Sequence, residues 1–337
     1  MDAGRKFASP LRCAAMFTSA DVSVIIPAYN SAETIEACLR SLHLQSALPG
    51  EIIVADSSRD ETPDIIQRAF PQVRLTRFNN QTFPGPARNR GAQMARGDIL
   101  AFIDSDCLAA PDWVERIVAA HNAGHHIAGG SLEVGNASKP IAWAGHMLEF
   151  REFLPAGEPR AVGHIPTCNL SYRREVFLQF GGFPNAYYPQ EDLLFNYILT
   201  QRGYQVWFDP KIHIYHFYRD TWRAYLRHQH RIGRVTRCAL TLLTMPGSHI
   251  ARQPTLAWSL APGLGVVKCL RSWKAFLQHY PRQAFRMPQV FPIIAAGALW
   301  WMRGFASGAR TGLSGIRGWG NPREEILQAL QEEQQDA

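Results

Sequence analysis

The sequence is sparing with cysteine, and its six cysteines (Cys13, Cys38, Cys107, Cys168, Cys238 and Cys269) lie far apart, with no Cys-x-x-Cys pair and no close Cys/His ligand spacing. That spacing excludes a disulfide framework and a structural zinc site, and a reducing compartment fits it best. Charge is also modest: 19% of the 337 residues are charged and 46% are hydrophobic, too apolar and evenly mixed for disorder. The length suffices for one large domain, or a domain with an appendage. No segment repeats at a period of roughly 20–50 residues. Arg5, Lys6 and Arg12 precede a weakly apolar stretch, residues 13–20, but Thr18 and Ser19 break it. It therefore lacks the apolar core of a signal peptide, and residues 1–20 read as a disordered leader. Long hydrophobic runs are missing as well. The uncharged stretches 238–251, 253–267 and 287–302 are 14, 15 and 16 residues long, and prolines at 246, 254, 262, 288 and 292 interrupt them. All fall short of the roughly 20 residues a spanning helix needs.

Acid is the scarcest commodity in one part of the chain. Residues 211–323 hold 17 basic side chains and a single acid, Asp220, whereas residues 1–210 hold 18 basic and 22 acidic ones and the last 14 residues hold five acids and no base. The formal net charge of +7 is thus a mildly acidic unit joined to a strongly basic one. We divide the chain into a folded unit over residues 21–218, a basic helical region over 219–322 and an acidic tail over 323–337. In the basic region Arg223, Arg227, Arg231 and Arg234 recur at helical steps, interleaved with Trp222, Tyr225 and Leu226. Such a stripe is either solvated or, since its charges repel one another, a surface for nucleic acid, lipid headgroups or a polyprenyl pyrophosphate. No nucleic-acid readout motif accompanies it, so no nucleic-acid partner is expected. Trp258, Trp273, Trp300, Trp301 and Trp319 fit an interfacial belt. Interfacial or re-entrant helices on an anionic membrane surface are the expectation, with a soluble helical subdomain as the alternative.

What the first part does have is a regular alternation. Residues 22–26 form a β-rich run ended by Pro27, and Ile35, Cys38, Leu39 and Leu42 then recur at helical spacing. A second strand is expected over residues 51–55, a helix through Ile65 and Ile66, a third strand over 73–78, a helix over 86–96 and a wholly apolar strand over 99–103. This is the pattern of a parallel sheet covered on both faces, an α/β fold whose ligands bind beyond the carboxyl ends of the strands. Those ends carry Pro27-Ala28-Tyr29-Asn30, then Asp56-Ser57-Ser58, then Asp104-Ser105-Asp106. An aspartate there is often only a turn former or cap. Two carboxylates two residues apart at the end of a buried strand repel unless a cation lies between them, and oxygen ligands suit Mg²⁺ or Mn²⁺. Arg88 and Arg90 just upstream could complement a diphosphate.

With these segments in order, and with Gly181-Gly182-Phe183 leading to Glu191-Asp192, the sequence resembles the family 2 glycosyltransferases of GT-A fold over about residues 20–220. The resemblance implies that Pro27, Tyr29 and Asp56 line the nucleotide base and ribose and that Asp104 and Asp106 form the metal-binding DxD motif; Arg88, Asp104 and Ser105 are counted with Pro27, Tyr29 and Asp56 as donor-binding residues. It implies a catalytic base at Asp192 with Glu191 beside it; on spacing alone the pair reads as a helix-capping pair, and the family match reverses that reading. The family often has a second acid and a glycine where this chain reads Ala55-Asp56-Ser57-Ser58, which leaves the nucleotide open, UDP being the commonest. Asn169 and Ser171 could bind sugar hydroxyls. His213 and His216 alternate on an extended segment after a strand over 206–208 and an Asp209-Pro210 turn, so that one can face the site; the resemblance implies a His near the metal or diphosphate here, and His216 is chosen as the third metal ligand. Gln229-His230-Arg231 only loosely resembles the motif of processive members, whose Trp is missing. The expected activity is therefore non-processive inverting transfer of a sugar from a nucleotide-diphospho-sugar, with Mn²⁺ or Mg²⁺, to a glycan or polyprenyl-linked acceptor. The expected setting is bacterial polysaccharide or glycolipid assembly on the cytoplasmic face of the inner membrane. A sugar-phosphate nucleotidyltransferase is the rival enzyme, but it should carry a Gly-rich loop after the first strand, and none is there.

Overall fold

The computed structural model describes residues 16–185 and 187–308, so the leader up to residue 15 and the acidic tail lie outside the described residues. The chain begins with β1 (Val22–Ala28), α1 (Ile35–His43), β2 (Glu51–Asp56), α2 (Thr62–Ala69), β3 (Arg74–Arg77), α3 (Pro84–Met94) and β4 (Ile99–Ile103). All five residues of β4 are buried, as a strand covered on both faces requires. The β1 strand runs on through Pro27, past its last pair with β4 at Ile25–Phe102, where a missing N–H costs no ladder bond to that strand.

The middle of the chain supplies β5 (Cys107–Ala109), α4 (Trp113–Asn122), β6 (Ile127–Val134), α5 (Pro140–Glu149), β7 (Arg160–Val162), β8 (Asn169–Arg173), α6 (Arg174–Gln179), α7 (Glu191–Gln201) and β9 (Val206–His216). The sheet order is β3-β2-β1-β4-β8-β6-β9-β5, with β7 on the edge of β9. The strands β3, β2, β1 and β4 are parallel, β8 enters antiparallel, and β6 pairs β9 in parallel. Because β2 lies to one side of β1 and β4 to the other, the chain reverses direction across the sheet at β1. A crevice opens there beyond the strands' carboxyl ends.

One expectation fails in this region. Asp209-Pro210 is not a turn that ends a short strand; β9 continues for 11 residues and absorbs these residues in a register shift opposite Gly130 and Ser131. The shift makes room for Pro210, which has no N–H to give, without interrupting the strand.

The basic region folds into α8 (Trp222–Leu242), α9 (Ser248–Arg252), α10 (Pro254–His279), α11 (Pro281–Arg286) and α12 (Val290–Ser307). Trp143, Met147 and Leu148 of α5 share a core with Tyr225, Phe276 and Ile294 of these helices, which fixes them to the sheet domain. The crossing of α8 and α12 is very close: a Cβ on Gly304 would fall 2.0 Å from the His230 carbonyl oxygen. At 18 residues and mean hydropathy 1.2, α12 is long and apolar enough to cross a membrane by length and composition alone. Val290, Ile294, Ala298 and Phe305 are buried, so one face of α12 packs against the rest of the protein. Arg237, fully buried, donates to the carbonyls of Ala251, Phe305 and Ala306 and so ties the ends of α9 and α12 to α8.

Candidate active site

A cleft of about 1290 Å³ lies over the carboxyl ends of β1 and β4. The loops that form its rim are stitched together by short polar side chains. Asn30, at φ 51° a conformation that asparagine tolerates, accepts from the Arg59 N–H and donates its own N–H to Ser58 Oγ. Ser31 and Ser105 share a hydroxyl–hydroxyl bond of 2.8 Å, which joins the loop after β1 to the loop after β4. Pro27, Tyr29, Arg88, Asp104, Ser105, Asp106, Glu191, Asp192 and His216 all line this cleft.

Asp56 does not. Its side chain is fully buried beneath the loops, where it accepts from the Ser58 N–H and pairs with Arg77 Nε at 3.2 Å. Any effect it has on a bound nucleotide passes through the loop it holds. Arg90 is exposed and outside the cleft. Asn169 and Ser171 are buried: Asn169 donates to the Ser131 and Ile212 carbonyls and accepts from Trp113 Nε1, and Ser171 donates to the Ala128 carbonyl. Their hydrogen bonds hold strands together, which leaves none for sugar hydroxyls.

Arg88 departs from the expected role in an informative way. A glycine at 91 lets α3 sit against β1, since a Cβ there would lie 2.5 Å from Ile25 Cγ2. Arg88, on the preceding turn of α3, is buried and reaches across the cleft floor. It donates to Asp104 Oδ1 at 2.5 Å and to Glu191 Oε1 at 2.8 Å. Its cation is therefore engaged by two carboxylates and does not stand free for a diphosphate. Burial pushes the Glu191 carboxyl up to about 7, despite Arg88, with Asp192 adding to the rise. The Glu191 side chain is thus enclosed and turned to Arg88.

Asp106 is placed differently. Its Oδ1 lies 3.8 Å from His216 Nε2, and these two with Cys107 Sγ present ligand atoms within 4.8 Å of one another. Burial drives the Cys107 thiol well above its ordinary value, so it stays protonated and is a weak ligand. The remaining pair, Asp106 and His216, offers hard oxygen and one imidazole nitrogen, which suits a divalent cation such as Mn²⁺ or Mg²⁺; Asp104 lines the same cleft with its Oδ1 turned to Arg88. His213 lies on the opposite face of β9. Ser131 Oγ donates to the Pro210 carbonyl, so the hydroxyl accepts from His213 Nδ1–H.

Asp192 opens α7 with its carboxylate held on both sides. The Thr167 backbone N–H and the Thr167 hydroxyl each donate to Oδ2 at 2.9 Å, and Leu193 N–H donates to Oδ1 at 2.7 Å. The adjacent Gly-Gly-Phe turn, with φ of 76° and 79° at Gly181 and Gly182, is pinned to α3 by Asn89, which donates to the Phe183 carbonyl and accepts from the Phe183 N–H. Sequence reasoning passed over Thr167 and Asn89, because their partners lie 25 and 94 residues away.

The far wall of the cleft comes from the basic region. Arg219, His228, Arg231, Lys268 and Trp301 all line it. Arg231 stands over the Tyr188 ring, and Lys268 donates to the Leu148 carbonyl while standing over the Trp301 ring. The division drawn at residue 218 therefore does not divide the cleft.

Residues 23–181 match the family model described as glycosyl transferase family 2. Among curated relatives, glycosyltransferase AglE of Haloferax volcanii is 31% identical over 194 residues, 56% of this chain and 64% of that protein. The succinoglycan biosynthesis protein ExoO of Rhizobium meliloti is 38% identical over 117 residues, 34% of each. The chain thus spans less than two thirds of these relatives' own length. Among solved structures, the mannosyltransferase PcManGT from Pyrobaculum calidifontis, in complex with GDP-Man and Mn²⁺, aligns over 86% of both chains with TM-score 0.55 and 17% identity. The shared architecture is the GT-A fold.

Proposed function

We propose, from the premise that residues 23–181 are a glycosyl transferase family 2 domain, that the protein transfers a sugar from a nucleotide-diphospho-sugar to an acceptor hydroxyl with inversion. The observation that carries this reading is Asp192: a carboxylate oriented by Thr167 and Leu193, in the same cleft as Asp104, Asp106 and His216.

A sugar hydroxyl is a poor nucleophile near neutral pH, so a base must take its proton as the new bond forms. The acceptor oxygen bonds to C1 of the donor sugar, its proton passes to Asp192, and the C1–oxygen bond to the nucleoside diphosphate breaks with its electron pair. Single displacement inverts the anomeric carbon. Asp106 and His216, with Asp104, would hold Mn²⁺ or Mg²⁺, which when bound offsets the negative charge of the departing diphosphate. Arg88 positions Asp104 by its hydrogen bond and keeps the buried Glu191 compensated. Tyr29, 40% exposed on the rim, supplies a ring for the base, and Pro27 and Ser105 shape the floor next to it. PcManGT takes a GDP-sugar and Mn²⁺; for this chain a UDP-sugar is the donor we favour. The acceptor is a glycan or polyprenyl-linked hydroxyl, met at the cytoplasmic face of the membrane.

A panel of nucleotide-sugars with Mn²⁺, read by release of nucleoside diphosphate, tests the activity. One donor should be turned over, and Asp192→Asn should bind that donor nearly as well while turnover falls at least about 10²-fold. Near-normal turnover in that variant would reject Asp192 as the base.

A further inference from the structure

The helix α10 has two opposed faces. Ala257, Ala261, Gly265, Cys269, Ser272 and Phe276 are buried against the rest of the protein. On the other side Leu260, Val266, Val267, Leu270 and Leu277 fall within roughly 120° of arc at the helical period. All five are exposed, Val266 to 58% and Leu270 to 53%. Gly263 lies in the same arc, and Phe285 of α11, 88% exposed, follows beyond the helix end. An apolar face running for some 25 Å along a helix is unusual on a soluble surface unless something covers it.

The charges around it identify what covers it. Arg271, Lys274, Arg282 and Arg286 are exposed along the same stretch. From residue 221 to residue 323 the sequence contains no acidic side chain at all. Glu152 of the sheet domain approaches Arg271 at 3.8 Å, but the helices themselves bring no acid, and an apolar strip with a clear excess of cations on and beside it is complementary to a layer that is apolar below and anionic at its surface. A second copy of the same face would bring cations against cations. We propose that the outward face of α10, with Phe285, is the surface by which this protein lies on an anionic lipid bilayer. It docks flat, with the apolar strip at the level of the acyl boundary and the Arg and Lys side chains among the headgroups.

This deepens the membrane placement given above and rests on it, but not on the transfer chemistry. Its consequence for the site is geometric. Lys268 of the same helix lines the cleft, so docking through α10 brings the cleft wall that Lys268 lines within about one helix diameter of the headgroups.

The test is flotation of the full chain with vesicles of phosphatidylcholine alone and of phosphatidylcholine with phosphatidylglycerol. Wild type should float with the anionic vesicles, lose binding as salt rises, and bind the neutral ones weakly. The double variant Val267→Glu, Leu270→Glu should partition at least about tenfold less. It should keep its cooperative thermal transition, because both positions are exposed. Lys274→Gln with Arg282→Gln and Arg286→Gln should lower binding to the anionic vesicles alone. Equal flotation of wild type and the double glutamate variant overturns the proposal. So does a wild-type dimer that this variant dissociates while neither form binds vesicles, for the face would then join two copies. Vesicle binding without turnover of any donor leaves the docking face standing and removes the enzymatic reading.

Discussion

A carboxylate proposed to accept a proton at the right moment has to be held still, and for Asp192 the holding is done by a threonine. Both donors of Thr167, backbone and side chain, converge on Oδ2 and leave Oδ1 with the Leu193 N–H. Thr167 touches no reacting atom in this account and is a positioning residue. Thr167→Val keeps the backbone donor and the shape but removes the hydroxyl, a hydrogen bond to a charged group. We expect kcat to fall roughly tenfold with little change in KM for the donor, and Thr167→Ser to restore it. A purely structural role would instead lower the melting temperature of the Val variant and leave kcat alone. None of this was legible in sequence, where Thr167 is one more threonine. Asp104, Asp106 and His216 were legible because each ends or flanks a strand. For the buried Asp56, Asn169 and Ser171, however, a polar residue next to a strand end signals either a ligand site or an internal hydrogen bond. Only the surroundings decide which.

Among the elements, the decisive junction is between α5 and α8. Glu149, the last residue of α5, accepts from Gln229 Nε2 at 2.6 Å and from His228 Nε2 at 3.3 Å. Burial alone would raise this carboxyl, but His228 and then Arg219 outweigh it, and the carboxyl drops from an ordinary 4.5 to about 2. Burial lowers the His228 value too, so near neutral pH its Nε2–H acts on Glu149 as a neutral donor, and the charge by which it depresses the carboxyl is present only in acid, where His228 is protonated. A carboxyl depressed in the folded state stabilises it above the unfolded value, and that contribution is lost as pH falls through the folded value. Glu149→Gln should therefore destabilise the protein by on the order of 2 kcal/mol at pH 7. The difference from wild type should shrink as pH falls below about 4.5, which denaturant melts at neutral and acid pH would measure. A constant difference across that range would mean that the ionised carboxylate is not what joins the two helices. The alternation of β1 through β4 with their helices could be read from periodicity, since each element buries its own apolar face. The course of α8 through α12 could not, because their uncharged stretches are equally suited to lipid and to one another. The structure divides their faces: one face of α12 packs against the rest of the protein, and one face of α10 is left outside.

At the scale of the whole molecule the uneven charge acquires a use on both sides of one cleft. The mildly acidic part supplies Asp104, Asp106 and Asp192, and the basic part supplies the opposite wall with Arg219, Arg231 and Lys268. In the proposed reaction an anionic donor would meet a cation held by carboxylates on one side and side-chain cations on the other. The acid-free surface beyond faces outward. What the account stands on is that the loops after β1 and β4 form a metal-dependent site for a nucleoside diphosphate. Titration calorimetry of UDP and GDP, with and without Mn²⁺, on wild type and Asp106→Ala tests that most directly. The account predicts binding of at least one nucleotide that strengthens on adding Mn²⁺ in wild type and loses most of that gain in the variant. Binding that is indifferent to Mn²⁺, or unchanged by Asp106→Ala, would contradict it.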